Sequence, residues 1–307
     1  MQTTIKSAIE FVGTGLHSGR PARLTIRPAS AEYGIWFRRI DREGQGTLIP
    51  ARWDAVVDTR LCTKIAAPSG IEVSTIEHLM AALAGTGVHN ALIEIDGPEV
   101  PILDGSSAPF VRAILARGLQ KLDAPVRALR ILEAVEVRDG DAMARLTPAE
   151  MLEMEFRIDF SDAAIGRQEK RLTLANGSFV RELSDSRTFC RQADVEAMQA
   201  NGLALGGNPG ENAVVFDGDQ VLSPGGLRHA DEPVRHKMLD ALGDLALAGA
   251  PILGRYSGQR AGHALTNRLL HVLFARPSAF RMVVCDAETT RHLPGVGLDH
   301  ADYLAIA

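Results

Sequence analysis

His236 and Asp240 stand four residues apart in Arg235-His-Lys-Met-Leu-Asp-Ala-Leu-Gly-Asp-Leu-Ala246, where Met238, Leu239, Leu242 and Leu245 mark an apolar helical stripe. On a helix that spacing stacks the two side chains on one face, within reach of one divalent cation, and Asp244 continues the face by a turn. The same spacing also serves a hydrogen-bonded His-Asp pair on a solvated face, and the two readings stand side by side. Glu77-His78 offers what a hydrolytic metal site still needs: a third ligand, and a carboxylate able to take a proton from water. Adjacent helical side chains diverge by about 100°, so one can meet the metal while its neighbour meets the water. A solvated first-turn pair favoured by the helix dipole is the alternative. In Arg260-Ala-Gly-His-Ala-Leu-Thr-Asn-Arg268, Gly262 permits a close backbone approach before His263, which suits a proton donor or, equally, a capping or core histidine. His17, His89, His229, His271, His292 and His300 are read as structural.

These residues need elements to carry them. Ala22-Arg-Leu-Thr-Ile26 and Ala91-Leu-Ile-Glu-Ile95 alternate as half-buried strands do, whereas Ser74 to Leu83 and Pro109 to Leu119 follow helical spacing. Ser74 and Glu77 have the separation of a capping box, which predicts a helix starting at Ser74. The helical pattern stops at Asp123-Ala-Pro125, and strand-like Leu129 to Val137 opens a second α+β unit. The expected units are therefore 1–125 and 126–307. Each contains an Asp-(Thr/Ser)-Arg tripeptide, Asp58-Thr59-Arg60 and Asp185-Ser186-Arg187, followed by a His-bearing apolar helix, a hint of duplication. Between Arg191 and Val221 runs a Gly-rich excursion, Gly202 to Gly210, before Val214-Val-Phe216 resumes a strand pattern. Inserts of that length are more often functional than idle.

The chain of 307 residues carries a net charge of −5 with no basic run, which argues against a nucleic-acid surface. Its hydrophobic share of 46% and charged share of 23% are those of a soluble globular protein. Met1 to Glu10 lacks the apolar core of a secretory signal, and no run of about 18 apolar residues occurs, so a cytoplasmic chain without a stable membrane anchor is expected. Cys62, Cys190 and Cys285 are scattered and form no C-x-x-C pair, so any metal must be held by histidine and carboxylate.

Taken together, Gly13-Thr-Gly-Leu-His-Ser-Gly19, Glu77-His-Leu-Met-Ala-Ala-Leu83, Leu103-Asp-Gly-Ser-Ser107, Ser186-Arg-Thr-Phe189, Val234 to Leu245 and Gly262-His-Ala-Leu265 resemble, in order and over nearly the whole chain, the UDP-3-O-acyl-N-acetylglucosamine deacetylases, zinc amidases of the lipid A pathway. The resemblance implies an α+β fold of two similar two-layer α/β sandwich domains with the active site in the cleft between them. It implies one catalytic Zn²⁺ held by His78, His236 and Asp240, with Glu77 as general base and His263 as partner cation or acid. Asp244 would orient His263, and Thr188 would help hold the oxyanion. Lys237, Phe160, Phe189 and Arg260 would lie along the path of an acylated UDP-sugar, and the 191–221 insert would form an acyl-chain passage. Either His263 or protonated Glu77 could protonate the departing amine. Two departures bear on substrate contacts. Ser161-Asp-Ala-Ala164 stands where the family commonly has a His-Pro element, and Asn208-Pro209-Gly210 extends the Gly-Gly segment of the insert. A monomer is expected. An amidase for another acylated nucleotide sugar, or a silent binding protein on the same fold, are the rival readings. The intact set of Glu77, His78, His236, Asp240, Asp244 and His263 speaks against the latter.

Overall fold

The computed structural model describes residues 1–44, 46–298 and 302; His300 lies outside the described residues. The fold is mixed α+β. Among the described residues, no strand pairs across the segment 122–126. On the N-terminal side a five-stranded sheet runs Ile9–Thr14, Pro21–Pro28, Ala91–Ile95, Ile35–Arg39, Leu48–Pro50 in spatial order. On the C-terminal side the same order recurs as Val135–Asp139, Ala142–Thr147, Ile252–Gln259, Leu152–Asp159, Arg167–Thr173, with Arg127–Ile131 and Phe280–Val284 added to the sheet. Within each set of five the third and fourth strands are parallel and the other neighbours antiparallel, and the added Arg127–Ile131 also runs parallel to Ile252–Gln259. Alternation builds the buried faces: Ala22, Leu24 and Ile26 on one, and Leu152, Met154, Phe156 and Ile158 on the other, are buried while their chain neighbours are not.

The helices repeat as well. α1 (Glu77–Thr86) precedes and α2 (Ala108–Arg117) follows Ala91–Ile95. After the short α3 (Ser178–Glu182) and α4 (Gln192–Ala200), α5 (Glu232–Leu245) precedes and α6 (His263–Phe274) follows Ile252–Gln259. The duplication hinted at by one tripeptide is thus a matched sequence of strands and helices.

α1 and α5 pack on each other, and glycine sets how closely. A Cβ on Gly243 would lie 2.1 Å from the carbonyl oxygen of Glu77, a distance no side chain tolerates. His236 precedes Gly243 by seven residues, as His78 precedes Gly85, whose own Cβ would strike the Phe179 ring at 2.0 Å. Gly243→Ala is expected to push α1 off α5, cost about 1–3 kcal/mol of stability and displace Glu77. A lowered urea midpoint with unchanged m-value would show it.

Two local expectations need correction. The helix begins at Glu77 rather than Ser74: Thr75 has φ 58°, which breaks helical geometry, and the Ser74 hydroxyl donates to the Pro98 carbonyl. No capping box forms, so the Glu77 carboxylate is free to face the site. Leu129 to Val137 is two strands, because the N–H groups of Leu132 and Glu133 both donate to the Ala279 carbonyl and turn the chain out of the sheet.

Candidate active site at the crossing of two helices

Close packing of α1 against α5 brings His78, His236 and Asp240 together, all buried, with one ligand atom of each within 4.8 Å of the others. Asp240 Oδ1 lies 3.5 Å from His78 Nε2 and 3.3 Å from His236 Nε2. The imidazoles meet nearly at right angles, with centroids 5.0 Å apart. The His236 Nδ1–H donates to the Ser186 carbonyl at 3.0 Å, which leaves Nε2 as a lone pair aimed inward. Burial depresses the His236 pKa to about 4, against the pull of Asp240, so the ring is neutral as a ligand must be. Asp240 Oδ2 accepts from Lys237 Nζ at 2.9 Å, whereas the buried Oδ1 has no hydrogen-bond partner. A buried carboxylate oxygen costs stability unless something satisfies it. Two imidazoles and this orphaned oxygen fit a divalent cation of zinc's ligand preference.

Beside this cluster stand Glu77 and His263. Glu77 is buried at the N-terminus of α1, and Thr63 N–H donates to its Oε2 at 3.0 Å. Burial pushes its carboxyl above the ordinary carboxylate range, with His263 and His78 pulling the other way. His263 is the first residue of α6; its Nδ1–H donates to Asp244 Oδ2 at 2.8 Å, and its Nε2 lies 4.0 Å from Glu77 Oε1. Burial opposes a charge on that ring, but the Asp244 carboxylate, joined by Glu77 and Asp240, outweighs it and raises the pKa to about 9. A cationic His263 therefore sits next to a carboxylate that burial has made basic.

A cavity of about 610 Å³ opens from this cluster. Glu77, His78, His236, Asp240, Lys237 and His263 line it, together with Thr188, Phe160 and Phe189. Phe189 lies edge-on to Phe160 at 5.6 Å and to His236 at 6.3 Å, joining an aromatic wall to the His236 ring. Lys237 keeps its charge, since Asp240 outweighs burial. Asp244 stands behind His263, off the cavity wall. Arg260 does not line the cavity: its guanidinium pairs with Asp159 at 2.6 Å on the exposed rim before α6.

The 191–221 segment closes one side. α4 carries no buried residue, yet Val195 and Met198 line the cavity with Ala204, Ala213 and Val215, giving that arm an apolar wall. The loop after α4 docks on the loop of Leu16 and His17 through main-chain bonds, Leu205 N to His17 O and Gly206 N to Leu16 O. A Cβ on Gly206 would sit 2.2 Å from the Gly15 carbonyl, so this approach requires glycine.

Two further residues at the site are not singled out from the sequence. His17, read as structural, lines the cavity with both ring nitrogens buried and unbonded. Thr63 lies in no motif and touches both Glu77 and Asp244.

The sequence model of the family described as UDP-3-O-acyl N-acetylglycosamine deacetylase matches residues 2–275. A UDP-3-O-acyl-N-acetylglucosamine deacetylase of Phenylobacterium zucineum is 50% identical over 281 residues, covering 92% of this chain and 96% of the relative. One from an Anaeromyxobacter species is 45% identical over 303 residues, 98% of both chains, and one from Pasteurella multocida is 43% identical over 287 residues, 93% of both.

Proposed function

This chain belongs to the UDP-3-O-acyl N-acetylglycosamine deacetylase family, and from that premise we propose that it hydrolyses the N-acetyl group of UDP-3-O-acyl-N-acetylglucosamine, releasing acetate, as an amidohydrolase of lipid A biosynthesis. The observation that carries the reading is one buried cluster: three ligand atoms within 4.8 Å, flanked by a basic carboxylate and an imidazolium, at the end of a part-apolar cavity. His78, His236 and Asp240 would hold one zinc ion. When bound, zinc supplies a Lewis acid that polarises the amide carbonyl and makes water more acidic.

The chain's own groups account for the proton transfers. Glu77, its Oε2 pinned by the Thr63 N–H, takes a proton from the attacking water at Oε1. Thr188 donates to the oxygen that becomes negative as the carbonyl turns tetrahedral. Loss of the amine needs a proton on nitrogen, and the His263 imidazolium, 4.0 Å from Glu77 and charged up to about pH 9, supplies it from Nε2. Asp244 holds the ring in that orientation. Lys237 presents a point charge to the diphosphate, and Phe160 and Phe189 present ring faces and edges to the nucleotide-sugar. The halves 1–125 and 126–307 act as two units sharing the site. Every group named lies in one chain, so a monomer suffices. Among the described residues no helix is long and apolar enough to cross a membrane, and a cytoplasmic site of action goes with a nucleotide-sugar substrate.

Acetate release from UDP-3-O-acyl-N-acetylglucosamine by zinc-loaded protein, abolished by chelation and restored by zinc, tests this reading; no release would refute it. The 191–221 wall adds a prediction. A buried chain gains about 0.8 kcal/mol per methylene, so shortening the 3-O-acyl group by about four carbons is expected to lower kcat/KM on the order of 10²-fold. Equal values would place the chain outside the protein.

A further inference from the structure

We propose that Thr63 is a positioning residue that sets the base and the acid of the reaction relative to each other. It lies just before the strand Lys64–Ala66 and is 1% exposed; its carbonyl accepts from the Ile76 N–H, and its two donors go to two different carboxylates. Its main-chain N–H donates to Glu77 Oε2 at 3.0 Å. Its hydroxyl donates to Asp244 Oδ1 at 2.5 Å, while Asp244 Oδ2 accepts from His263 Nδ1 at 2.8 Å. One residue thus fixes the unreactive oxygen of the base and the far oxygen of the carboxylate that orients the acid. What remains free is the pair that must exchange protons with substrate, Glu77 Oε1 and His263 Nε2.

The bonds also span the molecule. Thr63 and Glu77 lie on the N-terminal side of the 122–126 segment, and Asp244 and His263 on the other. No ligand of the His78, His236 and Asp240 cluster bonds to Thr63, so this contact controls geometry between acid and base without touching the metal ligands. A carboxylate flanked by one strong donor on each oxygen cannot rotate, and His263 inherits that orientation. Without the hydroxyl, Asp244 Oδ1 is a buried oxygen with no partner, and the carboxylate turns to find one.

The inference rests on the deacetylase reading, so its test has one arm independent of turnover. Thr63→Val keeps the shape and the main-chain donor and deletes only the hydroxyl. It is expected to lower kcat about 10–100-fold, the usual effect of losing such a supporting partner, with KM and zinc content unchanged and a lowered thermal midpoint from the unpaired Asp244 oxygen. Thr63→Ser restores most of the loss. In an Asp244→Asn background Thr63→Val should cost little more, because the hydroxyl acts through that carboxylate; additive losses would mean that it acts elsewhere. In proton NMR of the metal-free protein, the His263 Nδ1–H resonance should shift or broaden in Thr63→Val and return in Thr63→Ser. Wild-type protein that releases no acetate would refute the deacetylase reading while the NMR arm still decides the role of Thr63. Unchanged kcat together with an unchanged Nδ1–H signal in Thr63→Val would overturn the inference.

Discussion

Removing two ligands at once, His78→Ala with His236→Ala, is expected to strip the protein of zinc and to abolish acetate release. The two imidazoles come from separate helices, and the third candidate ligand is the single oxygen Asp240 Oδ1, too little to retain the ion. The loss should be chemical rather than a collapse of the fold. His78 and His236 occupy the seam where α1 crosses α5, but Gly243 and the apolar residues around it hold that crossing. Zinc content by elemental analysis and the far-ultraviolet dichroism of the double variant measure the two consequences separately. Near-stoichiometric zinc in a folded double variant would overturn the ligand assignment.

Glu77→Gln is expected to keep zinc and KM while lowering kcat by about 10²–10⁴-fold, the contribution of a general base. The amide still accepts from the Thr63 N–H but cannot take a proton. The pH dependence gives the sign. Glu77 works deprotonated, and burial raises its pKa, so activity is gained as pH climbs through a value above the ordinary carboxylate range. His263 works protonated, and its pKa is raised to about 9, so activity is lost as pH climbs through about 9. A bell results. Glu77→Gln should remove the acidic limb from what activity remains, and His263→Gln the basic limb. An acidic limb that persists in Glu77→Gln would assign the base to another group.

Much of this site is legible from residue spacing. His236 and Asp240 are legible as neighbours on one helix face, because four residues is a local rule, while that spacing leaves ligand pair and hydrogen-bonded pair both open, and the bounds of the strand Ala91–Ile95 are read residue for residue. Glu77 and His78 are legible as a pair, yet not in their setting. A Ser-x-x-Glu spacing predicts a cap, and only the left-handed Thr75 reveals that the chain is still turning there. Thr63 is illegible for a different reason: the two bonds it donates reach 14 and 181 residues along the chain, and one uses a main-chain N–H that every non-proline residue owns. Arg260 shows the converse. Three residues before His263 in sequence, its guanidinium turns to Asp159 on the rim while His263 turns into the cleft.

The repeated order of strands and helices carries a consequence for how the chemistry came to be shared out. His78 and His236 each sit seven residues before a glycine on matching helices, Gly85 against the Phe179 ring and Gly243 against the Glu77 main chain. Around them the copies have diverged. The residue before the histidine is Glu77 in one and Arg235 in the other, and Arg235 is taken up by ion pairs with Asp231 and Glu182. Four residues after it stand Ala82 in one and Asp240 in the other. Two copies retaining a carboxylate at that later position would bring two histidines and two carboxylates to the same ion, enough to fill a tetrahedral shell and leave no room for water. In the proposed reading the two sides avoid that outcome by dividing the labour, Glu77 on one taking the proton and Asp240 on the other holding the ion. Reactivity belongs to neither half alone but to their asymmetry.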